Sequence, residues 1–419
     1  MTITERTMTP DEAGRVFITP AAYADLPLFH EACRVLRDED PVHLVDEPGF
    51  TPFWVLTRYD DVHEASRRND VFFNTLQPVL ANIEAEEMQA AQGPLLRTLV
   101  HMDEPDHRIY RNLTSEWFLP KSLAQLNDRL ADLACRSVDR MVELGDACDF
   151  AQDIAMPYPL QVILAILGLP ESDYARMLKL TQELFGATDE ELARQGDDQL
   201  AALMEVIADF FAYFQGIIAE RRADPTGDLA SVIANAGVDG RLLDDFECIS
   251  YYVIIATAGH DTTSTAMAGG MQALIEHPDQ LERLRRDPSL ITTAADEVIR
   301  WITPVKHFMR HVQAPVEIGG HRFRPGDRVY LCYPSANRDE RAFDDPFRFD
   351  VGRSPNKHLS FGFGAHYCLG AMLARMEIKA LFTEIVARVD DLAITGPPEL
   401  SAATLVSGLK HLPISYRAR

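Results

Sequence analysis

The sequence predicts a mainly α-helical protein with small β-sheets, and three observations carry that prediction. Apolar residues recur at helical spacing in long segments between Leu123 and Trp301, and strand-like alternation is confined to two short regions. No Ser/Gly-rich linker, internal repeat or low-complexity tract divides the 419 residues, so the chain reads as one domain, 1–419.

Taken in order, the first residues, Met1 to Arg15, carry Glu5, Arg6, Asp11 and Glu12 and lack an apolar core, which reads as neither signal peptide nor membrane anchor. Pro41 to Val45 and Phe53 to Thr57 predict an early hairpin. The acidic stretch Glu84 to Gln92 lacks strong periodicity and reads as an ordered loop. In Leu123 to Leu144, Leu126, Leu130, Leu133, Val138 and Met141 recur among Asp, Arg and Glu, the pattern of an amphipathic helix. The uncharged run Ile154 to Pro170 contains Pro157, Pro159 and Pro170 and does not predict a continuous membrane-spanning helix. Helical patterns follow at Glu171 to Phe185, Asp197 to Arg222, Asp244 to Glu276, Pro278 to Arg286 and Ile291 to Trp301. Val316 to Ile318, Arg322 to Phe323 and Arg328 to Tyr333 read as strands around the turns Gly319-Gly320 and Pro325-Gly326. Asn337 to Pro355 reads as a long ordered loop, and Leu369 to Val389 as a helix.

Acidic residues outnumber basic ones 64 to 40, and a net charge of −24 would repel a polyanion, which argues against nucleic acid as a partner. Cys33, Cys135, Cys148, Cys248, Cys332 and Cys368 are scattered with no C-x-x-C pair, so a reducing, cytoplasmic setting without membrane association is expected. There is no H-E-x-x-H, no G-x-S-x-G elbow, no Walker A loop and no G-x-G-x-x-G, and the hydrolase, NTPase and nicotinamide-binding readings lack their residues.

The run FGFGAHYCLG, Phe361 to Gly370, carries the most chemistry. Gly362 and Gly364 let the backbone bend and approach a ligand, and Cys368 immediately precedes a helix, a position expected to lower a thiol's pKa. A lone cysteine is more often a core residue. With one thiolate at hand, zinc or an iron–sulfur cluster lacks its remaining ligands, whereas a haem iron needs one axial protein ligand. In Ala258 to Thr263, AGHDTT, helical spacing puts Ile255, Ala258, Gly259, Thr262 and Ala266 on one face, with Asp261 about 100° away.

The positions Phe361, Gly364, His366, Cys368 and Gly370 resemble the haem-binding signature of the cytochrome P450 superfamily, and the likeness extends along essentially the whole chain. The resemblance implies the α-rich triangular prism of that fold, with haem b (iron protoporphyrin IX) between a long central helix and the cysteine loop. It implies Cys368 as the axial iron ligand and Phe361 and Gly370 as cofactor contacts, with His107, Arg111, Arg310 and His366 meeting the haem propionates. It implies Asp261 and Thr262 as the acid–alcohol pair supporting O–O bond cleavage, and a structural network of Glu297, Arg300 and Arg348.

Within the superfamily the chain looks most like soluble bacterial monooxygenases that hydroxylate terpineol, related monoterpenes or alkyl-aromatics such as p-cymene. The resemblance implies that Thr75 to Val100, Thr181 to Ala187, Pro304 to Phe308 and Thr404 to Leu409 border the substrate pocket, and Ile255, Ala258, Val305, Phe308, Leu405 and Val406 are its expected apolar lining. Such a lining favours a compact, hydrocarbon-rich substrate. The alternatives are the same chemistry on a fatty acid or steroid, or a non-catalytic haem-thiolate sensor or carrier. Oxygen is the co-substrate, and electrons are expected from an iron–sulfur ferredoxin with a separate NAD(P)H-dependent reductase, docking on Arg67, Arg68, Lys121, Arg353, Lys357 and Arg375.

Overall fold

The computed structural model describes residues 8–75, 77–185, 189, 191–192, 194 and 199–419. Its centre is the helix Asp245–Glu276, here the central helix, 32 residues long and buried over most of its length. Asp244 caps it through a reciprocal pair with Glu247, satisfying two N-terminal amides. Helices Pro157–Leu167, Tyr174–Phe185, Gln199–Ala223, Ile291–Ile302 and Ala371–Arg388 pack against it. Asn127–Leu144 turns Leu130, Leu133, Val138 and Met141 inward, the face its periodicity predicts.

Prolines shape the helix Pro157–Leu167 without breaking it. Pro157 occupies its first turn, where the missing amide has no helical partner to lose, and a π-helical turn, Ala151–Ala155, precedes it. The helix Gln199–Ala223 contains an apolar window, 201–223, that by length and composition alone could cross a membrane. Its Val206, Phe210, Phe214 and Ile218 are buried in the same core as the central helix. The predicted start at Asp197 and the lining positions Gly186 and Ala187 lie outside the described residues.

A five-stranded sheet forms the other layer, in the order Val42–Val45, Phe53–Leu56, Arg328–Cys332, His307–Val312, Phe72–Phe73. The first pair is the predicted hairpin, Val42 opposite Leu56 and Val45 opposite Phe53. Phe53–Leu56 runs parallel to Arg328–Cys332, and the remaining pairings are antiparallel. The predicted hairpin over Gly319-Gly320 joins Val316–Ile318 to His321–Phe323.

Glu84 to Gln92 is not a loop but part of the helix Ile83–Gln92. Asn82 caps it, Glu84 and Glu86 sit in the first turn where the helix dipole favours them, and Glu86 ties it to Arg328 and Thr51. Polar anchoring at one end substitutes for an apolar stripe, so periodicity gives no signal.

Candidate functional site

The cysteine loop is closed by its own backbone. Gly362 N–H donates to Leu359, Tyr367 N–H to Gly364, and Cys368 N–H to the Phe361 carbonyl at 2.9 Å. Gly362 and Gly364 adopt φ of +67° and +75°. At Gly364 a Cβ would stand 2.5 Å from the Ser66 carbonyl oxygen, so this glycine answers an approach of protein backbone, not of a ligand. Gly370 has an ordinary φ of −84°, and an added Cβ would meet open space. Phe361 lies beneath the Arg375 guanidinium at 4.5 Å from the ring centre, and Arg375 is held by Asp296 at 2.6 Å.

Cys368 is exposed just ahead of the helix Ala371–Arg388. Burial in the surrounding protein pushes its thiol above the ordinary range, outweighing the Gly370 and Ala371 amides and the Arg111 and Arg375 cations that favour the thiolate. The sequence leads to the opposite sign, because it shows the helix start but not the desolvation. A directly coordinated metal would favour the thiolate against that burial.

Four nitrogen-bearing side chains converge beside it. The rings of His107 and His366 are 4.1 Å apart, and Arg111 donates to the Tyr367 carbonyl at 2.7 Å. Arg310, on the strand His307–Val312, is 3% exposed, donates to the Met309 carbonyl and lies against Tyr333. Burial and the neighbouring cations hold both imidazoles neutral, His107 at about 4 and His366 at about 2. His107 Nε2 is buried with no hydrogen-bond partner among the described residues. Asp103, the nearby carboxylate, is occupied by the Asn74 and Thr75 amides and the Thr75 hydroxyl. A buried cluster rich in donors and short of acceptors, next to an outward-facing cysteine, fits a metal cofactor that carries its own carboxylates, and haem is such a group.

Arg111 belongs to the helix Asp106–Ser115, which joins the cluster to the central helix: Tyr251 donates to the Tyr110 carbonyl at 2.8 Å and meets the Thr114 hydroxyl at 2.9 Å. Farther along, Ala258 is exposed and Gly259, Asp261 and Thr262 are partly so, although the helix on either side is mostly buried. Thr262 donates its hydroxyl proton to the Ala258 carbonyl at 2.7 Å, leaving its oxygen free to accept. Asp261 Oδ2 has no hydrogen-bond partner among the described residues, and burial pushes the carboxyl up.

The expected Glu297–Arg300–Arg348 network is corrected at its third member. Glu297 and Arg300, both 0% exposed, form two 2.8 Å hydrogen bonds. The second guanidinium on Glu297 is Arg353, at 3.1 and 3.2 Å, while the Arg348 side chain is exposed and only its carbonyl takes part. The turn through Asp345, at φ +47°, points Arg348 outward and brings Arg353 back onto Glu297. Asn337 extends the network, accepting from Leu359 N–H and donating to Ser360 Oγ at the base of the cysteine loop.

The proposed basic face shrinks accordingly. Arg353 is turned inward, Arg67 pairs with Glu64, Arg68 with Asp70, and Arg375 with Asp296. Lys121 and Lys357 remain exposed. Of the expected pocket residues, Val305 and Val406 form an antiparallel bridge, and Leu405 accepts from Lys306 N–H at 2.8 Å. Phe308 is half-buried with its ring edge-on to Tyr333, Ile255 is buried on the central helix, and Ala258 is exposed one turn later. Val406 also lines a solvent-open cleft of about 480 Å³ with Asp261, Gln182, Ser264, Thr265, Ser401 and Lys410, more polar than the expected pocket.

Residues 28–392 match the family model for Cytochrome P450. The chain is 40% identical to Cytochrome P450-terp of Pseudomonas sp over 98% of its length and 99% of that protein's. It is 36% identical to a Steroid C26-monooxygenase of Mycolicibacterium smegmatis, covering 91% of this chain and 89% of the other. The crystal structure of CYP108D1 from Novosphingobium aromaticivorans superposes with a TM-score of 0.91 at 40% identity, over 99% of this chain and all of that one. A Mycobacterium marinum cytochrome P450 in complex with pseudoionone gives 0.88 at 32% identity, over 96% and 97%. The cysteine facing a cluster of unmatched donors, the interrupted burial of the central helix and these end-to-end matches agree: the chain belongs to the cytochrome P450 family of haem-dependent monooxygenases.

Proposed function

We propose that this monooxygenase hydroxylates a C–H bond of a compact hydrophobic substrate, a monoterpenoid or an alkyl-aromatic such as terpineol or p-cymene, in the cytoplasm and away from membranes. The observation that carries the substrate class is the 40% match to Cytochrome P450-terp across 98% of the chain, which includes the lining segments around Val305 and Val406. A fatty-acid or steroid substrate is the second reading, favoured by relatives named methyl-branched lipid omega-hydroxylase and Steroid C26-monooxygenase at 35% and 36% identity.

In this reading Cys368 would ligate the iron through its sulfur, and His107, Arg111, Arg310 and His366 would hold the cofactor's carboxylates. Bound haem supplies the one-electron and oxygen chemistry. Ile255 and Val305 would offer apolar surface to the substrate. Thr262 can accept a hydrogen bond there while its own hydroxyl proton is donated to the Ala258 carbonyl, and Asp261, whose carboxyl burial pushes up, would pass a proton on.

The reading is tested by titrating the ferric protein with p-cymene, α-terpineol, a long-chain fatty acid and a steroid while following the Soret band. A saturable low-to-high-spin shift with the first two is expected. A response confined to the last two transfers the substrate class to the second reading.

Electrons come from a ferredoxin docking beside the cysteine loop, where Phe363, Tyr367 and Met372 are exposed, with Lys121 and Lys357 as the exposed cations left from the expected set. With two free lysines instead of six cations, electron transfer from an acidic ferredoxin is expected to depend only shallowly on ionic strength. A steep salt dependence in stopped-flow reduction would show that the arginines leave their intramolecular partners on docking.

A further inference from the structure

We propose that His260 is a positioning residue that shares one proton with Asp261, and that Thr181 on the neighbouring helix selects which of the two holds it. The proposal rests on the reading above, in which Asp261 passes a proton toward Thr262.

His260 is 0% exposed, and its two ring nitrogens are both engaged. Nε2 is 3.1 Å from the Met156 carbonyl, which can only accept, so Nε2 carries a proton. Nδ1 is 3.1 Å from Thr181 Oγ1 and 3.6 Å from Asp261 Oδ2. Thr181, also 0% exposed, is 3.0 Å from the Leu178 carbonyl as well. Its hydroxyl has one proton for two claimants.

That shortage defines two states. When Thr181 donates to His260 Nδ1, the ring is neutral and the shared proton resides on the Asp261 carboxyl. When Thr181 donates to Leu178, Nδ1 must itself be protonated to keep its contact, so the ring is a cation facing an Asp261 carboxylate. Passage from the second state to the first takes one proton off Nδ1 and puts one on Asp261; because the 3.6 Å gap is longer than a hydrogen bond, the exchange runs through the solvent of the cleft that Asp261 lines, with the Thr181 hydroxyl rotating and no electron moved. Burial without a full set of hydrogen bonds disfavours the ion pair, while mutual attraction favours it.

Other charges around the pair are already committed. On the helix Tyr174–Phe185, Glu183 pairs with Arg194 and Lys179. Lys410, which lines the cleft beside Asp261, pairs with Asp189 and Glu191. From the helix Pro157–Leu167, Ile163 packs against Gly259 and brings no charge. His260 is thus the cation available to Asp261 among the described residues, and the Thr181 contact makes its protonation answer to the position of the Tyr174–Phe185 helix.

The test is infrared difference spectroscopy of the holoenzyme across pH, following the protonated-carboxyl stretch that Asp261→Asn removes. In His260→Gln, which keeps polar contacts but cannot be charged, the Asp261 midpoint is expected to rise by about one pH unit, a tenfold gain in proton affinity. An unchanged midpoint overturns the proposal. Should that variant fail to fold, wild type labelled with ¹³C-histidine serves: one imidazole band is expected to titrate at the Asp261 midpoint and to lose it in Asp261→Asn. A carboxyl that titrates with no imidazole change overturns the proposal. A protein with the shared midpoint that hydroxylates nothing overturns the monooxygenase reading alone.

Discussion

Cys368→Ser is expected to abolish turnover and the thiolate-type ferrous–carbon monoxide spectrum. The sulfur sits where amides and two cations reach it but where burial keeps the free thiol protonated. A coordinated metal would tip that position to the anion, and a serine hydroxyl, with a far higher intrinsic pKa, gives a much weaker ligand. Fold stability should change little, because Cys368 is exposed and its backbone hydrogen bond to Phe361 is retained. Absorption spectroscopy after reconstitution, with circular dichroism as the folding control, checks this; an unchanged ferrous–carbon monoxide spectrum would overturn the axial-ligand assignment. Thr262→Ala separates the two halves of the site. It should retain the spectrum, since Thr262 belongs to the central helix, yet release reduced oxygen as peroxide, measurable as electron consumption without matching product.

What the sequence made legible follows from how locally each feature is encoded. The long helices and the Val42–Val45 hairpin declare themselves by period, because a buried face repeats every 3.6 or 2 residues. The helix Ile83–Gln92 does not, since it is held by Asn82 at its cap and by Glu86 reaching Arg328, 242 residues away. The site shows the same division. Cys368 and the Asp261-Thr262 pair are marked by tight local motifs, whereas the choice between Arg348 and Arg353 depends on the turn at Asp345, which spacing does not reveal. The sign of the Cys368 shift was hidden because desolvation is a property of packing. His260 stood in plain view within AGHDTT, but only its contacts with Met156 and Thr181 give it chemistry. Asp103 and Asn337 were likewise missed, each acting mainly on backbone groups of distant segments.

Glu297→Ala is expected to destabilise the fold by about 3–5 kcal/mol, the usual cost of stripping the counter-charge from a buried cation. Glu297 accepts from Arg300, Arg353, Asn356 and the Asp350 amide, so one truncation leaves two guanidinium groups facing a void. Arg300 is 0% exposed and retains carbonyl acceptors from Asn337 and Pro346, but no opposite charge among the described residues. Because Asn337 and Ser360 link this network to the cysteine loop, haem retention should fall with stability. The corrected membership can be tested beside it. Arg353→Ala should reproduce much of the loss, since that side chain also ties the carbonyls of Asp344, Asp345 and Arg348. Arg348→Ala, at an exposed side chain, should lie within about 0.5 kcal/mol of wild type. Urea unfolding of the three variants decides it: a large loss at Arg348 with none at Arg353 would return Arg348 to the network.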